Sequence, residues 1–172
     1  MKKIVTFILV FFIMFNSVKA DNYIIPDDAI RIRIIANSNS KYDQEVKLKV
    51  KEMLELKMFN LLKDIKGVDE ARKVINDKLW DINNDIKNLL DEEKYSLEYK
   101  INYGKNYFPK KEYKGVTYNE GYYESLVVTL GKGEGNNWWC VLFPPLCLME
   151  AEESDKVEYK FFVQELFEKY FN

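Results

Sequence analysis

The segment GKGEGNNWWCVLFPPLC, residues 131–147, concentrates the residues of this chain that could do chemistry. It holds both cysteines, two adjacent tryptophans and three glycines at alternate positions. Glycines let backbone N–H groups approach a phosphate, but a nucleotide-binding fingerprint requires a helix directly after them. Residues 138–143 have instead the composition of a short apolar strand. The sequence therefore predicts a hairpin loop over residues 131–136, joining this strand to the one before it, and no phosphate site.

The composition argues against most hydrolase mechanisms. The chain contains no histidine, which excludes Ser-His-Asp and Cys-His catalysis in their usual forms and histidine-ligated zinc sites. Glu120, Glu124 and Glu134 could supply the acid/base pair of a sugar hydrolase, although nothing in their spacing favours this role over solvated loop and strand positions. We therefore predict that the protein is not an enzyme and has no catalytic residues, cofactor or metal.

The first twenty residues have the three parts of a secretory signal peptide. Lys2 and Lys3 form the basic region, residues 4–15 the apolar region, and residues 18–20 (VKA) the small-x-small cleavage site. Cleavage there predicts an exported single domain over residues 21–172, and it changes the formal net charge from −2 to −5 because three lysines leave. Such a charge gives no reason to expect a nucleic acid partner.

The two cysteines, Cys140 and Cys147, are close enough in sequence to be joined across a turn. A turn centred on Phe143-Pro144 places them opposite each other, whereas a turn centred on Pro144-Pro145 makes them only diagonal neighbours. Export to an oxidising compartment favours the disulfide, and the register leaves its formation open.

The adjacent tryptophans must point to opposite faces of a strand. This alternation places Cys140 and Leu142 with Trp138, and Val141 and Phe143 with Trp139. Helices can cover one face of the sheet. The other face is covered as well, or it is an exposed apolar patch of the kind that binds a partner. Core packing is the expected role of at least one tryptophan, and which face meets a partner stays open.

Hydrophobic periodicity predicts the elements that position this segment. Residues 30–34 alternate apolar and basic side chains as in a half-buried strand, and Ser40 with Asp43 is typical of a helix N-cap and acidic first turn. Two long helices are predicted over residues 41–64, ended by Gly67, and over residues 69–90. Further predictions are strands over residues 95–103, 126–130 and 138–143, an irregular crossing over 108–121, and a C-terminal helix over 155–171.

These elements predict an α+β fold in a single domain. A small antiparallel or mixed sheet is expected to pack with the two long helices and the C-terminal helix on one side. The order of the strands does not follow from the periodicity.

Three blocks of the sequence resemble the stage II sporulation protein R family of endospore-forming bacteria. They are IRIRIIANS at 30–38 with DQ at 43–44 and KLKV at 47–50, GYYESL at 121–126, and the whole of 131–147. The resemblance covers most of the mature chain and is loosest over residues 51–94. The family usually has an acidic residue at Asn39, a proline near Lys41, a Pro-Ala pair at Asn119-Glu120, and often a basic residue at Asn136.

The resemblance implies signalling between the two compartments of a sporulating cell. Such a protein is made in the forespore and secreted into the space between the two membranes. There it activates a membrane-embedded aspartic peptidase of the mother cell, which cleaves the precursor of sigma-E. For this role we expect Trp139, Phe143, Pro144 and Pro145 to contact the peptidase, with Trp138 as a further candidate and Asn137 holding the loop by side-chain hydrogen bonds.

Two other functions compete with this one. Exposed tryptophan and tyrosine rings stack on sugars, so an extracytoplasmic module that binds cell-wall carbohydrate is the alternative. A small wall hydrolase that uses carboxylates such as Glu124 ranks last, because no pattern in the sequence favours it.

Overall fold

In the computed structural model the described residues are 28–113 and 116–144. The predicted signal peptide and C-terminal helix lie outside them. The elements follow in the order β1 (Ile30–Ile35), α1 (Lys41–Leu62), α2 (Val68–Glu92), β2 (Tyr99–Phe108), β3 (Lys111–Tyr113), β4 (Val116–Tyr118), β5 (Gly121–Leu130) and β6 (Asn137–Phe143). No helix in the described part of the chain is both long and apolar enough to cross a membrane.

Helix α1 begins at the predicted residue because Ser40 caps it. The Ser40 side chain accepts a hydrogen bond of 3.2 Å from the backbone N–H of Asp43, which satisfies one of the unpaired donors of the first turn. The prediction that Gly67 ends this helix is wrong, since α1 has already ended at Leu62. With φ −130° and ψ 147°, Gly67 is instead the N-cap residue of α2.

Four strands form a mixed sheet in the order β2-β5-β1-β6. Strand β1 is parallel to β5, with Ile32 opposite Leu126, and antiparallel to β6, with Ile34 opposite Trp138. The predicted hairpin between β5 and β6 is therefore wrong, because β1 lies between them. This position gives β1 a hydrogen-bonded neighbour on both edges, which the burial of its backbone requires.

Both helices pack on one face of the sheet and form the main core with it. Helix α1 contributes Val46, Val50 and Leu54, and α2 contributes Ile75, Ile82 and Ile86. Strands β1 and β5 contribute alternate residues, as expected for strands with one face against helices: Ile30, Ile32 and Ile34 of β1, and Leu126, Val128 and Leu130 of β5. Strand β6 contributes the consecutive residues Leu142 and Phe143. An α+β fold with a mixed sheet and two long helices is confirmed.

Strands β2 and β5 are longer than their sequences predict. Strand β2 starts at Tyr99 rather than at Tyr95, which is buried ahead of it, and continues to Phe108. The two strands pair antiparallel along their whole length, from Tyr99 opposite Leu130 to Phe108 opposite Gly121. This long-range pairing extends both strands through polar stretches, and the predicted irregular crossing contains the short antiparallel pair of β3 and β4.

Candidate partner-binding face of strand β6

The two tryptophans of β6 lie on opposite faces of the sheet, as the alternation predicted. Trp138 packs against the core on the helix face, and the Nζ of Lys51 from α1 lies 5.6 Å from its ring centroid. Trp139 lies on the face opposite the two described helices, perpendicular to the rings of Phe108 at 5.7 Å and Tyr118 at 4.8 Å. Trp139 thus belongs to a second, smaller cluster on this other face.

Arg31 is the centre of this second cluster and is fully buried. Its guanidinium carbon lies 3.3 Å from the ring centroid of Tyr123, 5.4 Å from that of Phe108 and 5.7 Å from that of Trp139. A cation among three aromatic rings is attracted to their electron-rich faces, most strongly where water is excluded. We call Arg31, Phe108, Tyr118, Tyr123 and Trp139 the arginine–aromatic cluster.

Two further cations lie at the edge of the arginine–aromatic cluster. Arg33 lies 5.8 Å from the Phe108 centroid, and Lys111 Nζ lies 5.2 Å from that of Trp139. Oriented toward Arg33, the Asn137 amide oxygen accepts hydrogen bonds of 2.6 Å from Nη2 and 3.0 Å from Nε. Partial burial lowers the pKa of Arg33. Asn137 therefore ties the start of β6 to β1 and orients a cation beside the aromatic rings.

Phe143 does not share the face of Trp139, so this prediction is wrong. Ile30 lies opposite Phe143, but the next residue, Arg31, lies opposite Val141. The pairing therefore skips one residue of β6, as at a β-bulge. Phe143 consequently lies fully buried in the main core beside Leu142. Pro144 is buried as well.

The cysteine and proline predictions extend past the described part of the chain. Cys140 packs against the main core on the helix face of β6, in partial exposure. Its predicted partner Cys147 and the contact candidate Pro145 lie outside the described residues. The disulfide and the contact through Pro145 therefore stay predictions.

The glycine-rich loop of residues 131–136 crosses the end of β1 and is bonded to the segment that follows this strand. Asn37 accepts two hydrogen bonds, from Lys132 N–H to its side-chain oxygen at 3.0 Å and from Glu134 N–H to its carbonyl at 3.1 Å. Gly135 N–H donates to the Ala36 carbonyl at 2.9 Å. We call this contact between residues 36–40 and 131–136 the loop latch.

The loop latch explains two of the three alternating glycines. Gly131 has φ +55°, and a Cβ on it would clash with the Asn37 side chain. A Cβ on Gly135 would clash with the backbone carbonyl of Ser38, which cannot move out of the way as a side chain can. Gly131 thus leaves room for the Asn37 side chain and Gly135 for the backbone of Ser38, and no phosphate is needed to account for these two glycines.

Asp43 holds the other side of the loop latch. Its Oδ2 accepts hydrogen bonds from Asn37 Nδ2 at 2.9 Å and Ser38 Oγ at 2.5 Å. The hydrogen bond from Ser38 is the main reason why the pKa of Asp43 is lowered; partial burial opposes it, and Asn37 and Ser40 lower the pKa further. The first turn of α1 thereby fixes Asn37, which in turn fixes the loop leading into β6.

Asn39 and Asn136, for which the resemblance led us to expect other residue types, contact each other in the loop latch. The backbone N–H of Asn136 donates a 2.7 Å hydrogen bond to the side-chain oxygen of Asn39. Lys47 is buried beside them and donates to the Asn136 carbonyl at 3.3 Å and to Gln44 Oε1 at 2.6 Å. The first and third blocks of the resemblance are far apart in the sequence but therefore contact each other in the fold.

The Glu124 carboxylate is held by hydrogen bonds from Arg72 and Tyr103, an arrangement that we call the Glu124 clamp and that does not suit proton transfer. Arg72 Nε and Nη2 donate to its carboxylate at 2.8–2.9 Å, and the Tyr103 hydroxyl donates at 2.7 Å. Burial by itself raises the pKa of Glu124, but the hydrogen bonds from Arg72 and Tyr103 outweigh burial, so its pKa is lowered. A carboxyl with a lowered pKa is ionised at neutral pH and is poorly suited to act as a general acid.

The described residues bring together no three cysteine or carboxylate side chains that could hold a metal ion. Sequence reasoning missed the burial of Arg31, because alternation of isoleucine and arginine normally marks a strand with one solvated face. It also missed Arg72, whose position in a helix gives no sign of its partner on β5. The GYYES block could have indicated Tyr123 as a core residue only together with the topology.

Comparison with known proteins agrees with the resemblance. The family model described as Stage II sporulation protein R matches residues 26–153. Stage II sporulation protein R of Bacillus subtilis (strain 168) is 40% identical over 135 residues, which are 78% of this chain and 60% of that protein. The chain thus spans about 60% of the length of this curated relative. No solved structure shows a significant match. Since the family model covers well over half of it, the chain belongs to the stage II sporulation protein R family and is a stage II sporulation protein.

Proposed function

We propose that this protein is an exported signal that activates the membrane-embedded aspartic peptidase which processes the sigma-E precursor. In this proposal it is made in the forespore, is secreted into the space between the two membranes, and acts without catalysing a reaction itself. Family membership supports the role. The observation that carries the proposed contact is the position of Trp139, partly exposed on the sheet face that the two helices leave uncovered.

The chemistry around Trp139 suits an anchor residue of an interface. Its ring is held perpendicular to Phe108 and Tyr118, so little side-chain entropy remains to be lost on binding. Lys111 places positive charge beside Trp139, and Arg33 places it beside the neighbouring Phe108. This charge favours an acidic or aromatic segment of the partner. Phe143 and Pro144, which the sequence predicted as contacts, are buried and would instead support the strand from inside the protein, while Trp138 would fix it to α1.

Activation requires that the protein binds the active form of the peptidase more tightly than the inactive form. Only this difference in affinity shifts the equilibrium between the two forms. A factor of 100 between the two affinities is worth about 2.7 kcal/mol, which a single buried tryptophan at an interface can supply.

The test is co-production of this protein, the peptidase and the sigma-E precursor in a host that does not sporulate. We expect the precursor to be cleaved only when this protein is present. Equal cleavage with and without it refutes the proposal.

A pair of tryptophan variants locates the contact in the same assay. Trp139→Ala is expected to reduce the rate of cleavage about tenfold or more, as for an interface hot spot. Trp80→Ala is the matched control, because Trp80 lies on α2 and is 73% exposed. Circular dichroism must first show that both variants fold. If Trp139→Ala retains full activity, the contact lies elsewhere on the molecule.

A further inference from the structure

A cleft at the end of the sheet, away from both tryptophans, has the chemistry of a sugar site. It lies where β5 begins, beside Arg72 of α2, and its volume is about 630 Å³. Pockets for small ligands have roughly 300–1,000 Å³. Its charged lining residues are Asp28, Arg72, Lys105, Glu120 and Glu124.

Tyr122 and Tyr123 provide the aromatic surface of this cleft, and Tyr107 packs against Tyr122 from β2. Tyr122 lines it and is 72% exposed, and Tyr107 of β2 lies directly opposite Tyr122 and is 48% exposed. Their centroids are 5.6 Å apart with the rings at 65°. Among the described residues, no aliphatic side chain lines the cleft. A lipid or the apolar anchor of a protein partner would find no matching surface here, whereas the C–H face of a sugar ring stacks well on tyrosine.

The polar groups beside Tyr122 are held in place before any ligand binds. Arg72 and Tyr103 fix the Glu124 carboxylate by the clamp described above, and the Tyr107 hydroxyl donates to Glu120 Oε2 at 3.1 Å. Fixed carboxylates and a guanidinium can accept from and donate to sugar hydroxyls without first losing side-chain freedom. A ligand with little apolar surface and many polar groups requires partners that are already fixed in this way.

The charge of the cleft also selects the ligand. Arg72 is neutralised by ion pairs with Glu124 and Asp69, and Lys105 lies near Glu124 across the β2–β5 pairing. With three carboxylates against two cations, the cleft does not attract a polyanion, and its cations disfavour a basic peptide. A neutral, polyhydroxylated ligand fits this balance.

We propose that this cleft binds a neutral N-acetylhexosamine unit of a glycan chain, with the ring stacked on Tyr122 and its polar groups bonded to Glu120 and the clamped Glu124. Trp139 does not line the cleft, although Tyr123 of the arginine–aromatic cluster does. Tyr122 points to the opposite face of β5 from Tyr123, so its substitution tests this binding separately from the proposed activation of the peptidase. A protein with both surfaces would be retained on a glycan matrix while Trp139 stays available.

The test is titration of the purified chain with N-acetylchitotriose by calorimetry. We expect saturable binding that Tyr122→Ala weakens by about tenfold or more, the equivalent of about 1.4 kcal/mol. Tyr122→Phe retains the stacking ring and should keep most of the affinity. Trp80→Ala, another exposed aromatic residue, should leave it unchanged.

Three outcomes would overturn the proposal. The first is the absence of saturable binding up to about 10 mM trisaccharide, which corresponds to a binding free energy weaker than about 3 kcal/mol. The second is equal affinity of Tyr122→Ala and the wild type for the trisaccharide. The third is binding of a free cell-wall stem peptide in place of the sugar. In the peptidase assay without a glycan matrix, Tyr122→Ala should be fully active. Failure of glycan binding and failure of peptidase activation are therefore read out separately.

Discussion

Asp43 and Glu124 are carboxylates that the fold uses as acceptors, and both have lowered pKa values. Asp43 joins the first turn of α1 to the loop latch, and Glu124 joins β5 to Arg72 of α2. In each case the charge is balanced by directed donors, so the residue stabilises the fold in its ionised form. At the scale of single residues, these two side chains hold helices to strands.

Asp43→Asn should destabilise the protein by about 1–2 kcal/mol, because a charge-assisted acceptor in a nearly buried position becomes neutral. The lowered pKa means that the folded state binds a proton more weakly than the unfolded state. Above the pKa of Asp43 in the unfolded state, about 3.9, the residue therefore contributes its full stabilisation. This stabilisation is lost as the pH falls through the lower pKa of Asp43 in the folded state.

Urea unfolding of the wild type and Asp43→Asn from pH 7 down to acid pH measures this. The difference between the two proteins should shrink below about pH 4. Asp77→Asn, at an exposed position on α2, is the control and should follow the wild type. A difference that stays constant with pH contradicts the assignment.

Glu124→Gln should cost about 2 kcal/mol, because Arg72 and Tyr103 lose an ionised acceptor. Glu120→Gln is the matched control, because Glu120 directly precedes the strand that carries Glu124. Among the described contacts, Glu120 is exposed and bonded only to the Tyr107 hydroxyl, so the free energy of unfolding should change by no more than about 0.5 kcal/mol. Thermal unfolding of both variants measures the two changes in stability. Equal effects of the two substitutions would mean that the clamp does not stabilise the fold.

At the scale of elements, the loop latch connects the start of α1 to the entry of β6. The strand that carries both tryptophans is thus positioned by contacts at one end with Asn37 and Asn39, and along its length by β1. Two of the three glycines that resemble a nucleotide-binding pattern make room in this contact, Gly131 for the Asn37 side chain and Gly135 for the Ser38 carbonyl.

Gly135→Ala should destabilise the protein by about 2 kcal/mol, because the new Cβ meets the Ser38 carbonyl and one segment must shift. Gly67→Ala is the control: nothing lies within 4 Å of the Cβ it would add, and alanine at an N-cap costs below about 1 kcal/mol. Chemical denaturation gives both values. A Gly135→Ala variant as stable as Gly67→Ala would show that the latch is not tight.

At the scale of the whole molecule, the helices and the sheet share one main core, so they should unfold together. Trp80 reports on α2, and Trp138 and Trp139 report on β6. We expect a single transition in urea, with the same midpoint by tryptophan fluorescence and by far-ultraviolet circular dichroism, as for a small two-state domain. Separate midpoints would indicate that β6 and its arginine–aromatic cluster unfold independently of the helices.

The sequence by itself determined the features that depend on local pattern. The helix positions, the Ser40 cap and the opposite faces of Trp138 and Trp139 follow from side-chain period and capping chemistry, which act over a few residues. The α+β class followed from the order of these elements. The blocks shared with the family were also visible in the sequence alone.

Only the tertiary structure decided which distant segments meet. It placed β1 between β5 and β6, which removed the predicted hairpin. It also placed the glycine-rich loop against Asn37, in the loop latch. It moved Phe143 into the core through a shift in register, and it buried Arg31 beneath Tyr123. Each of these depends on pairing between residues about a hundred positions apart, and no local periodicity carries information about such pairing.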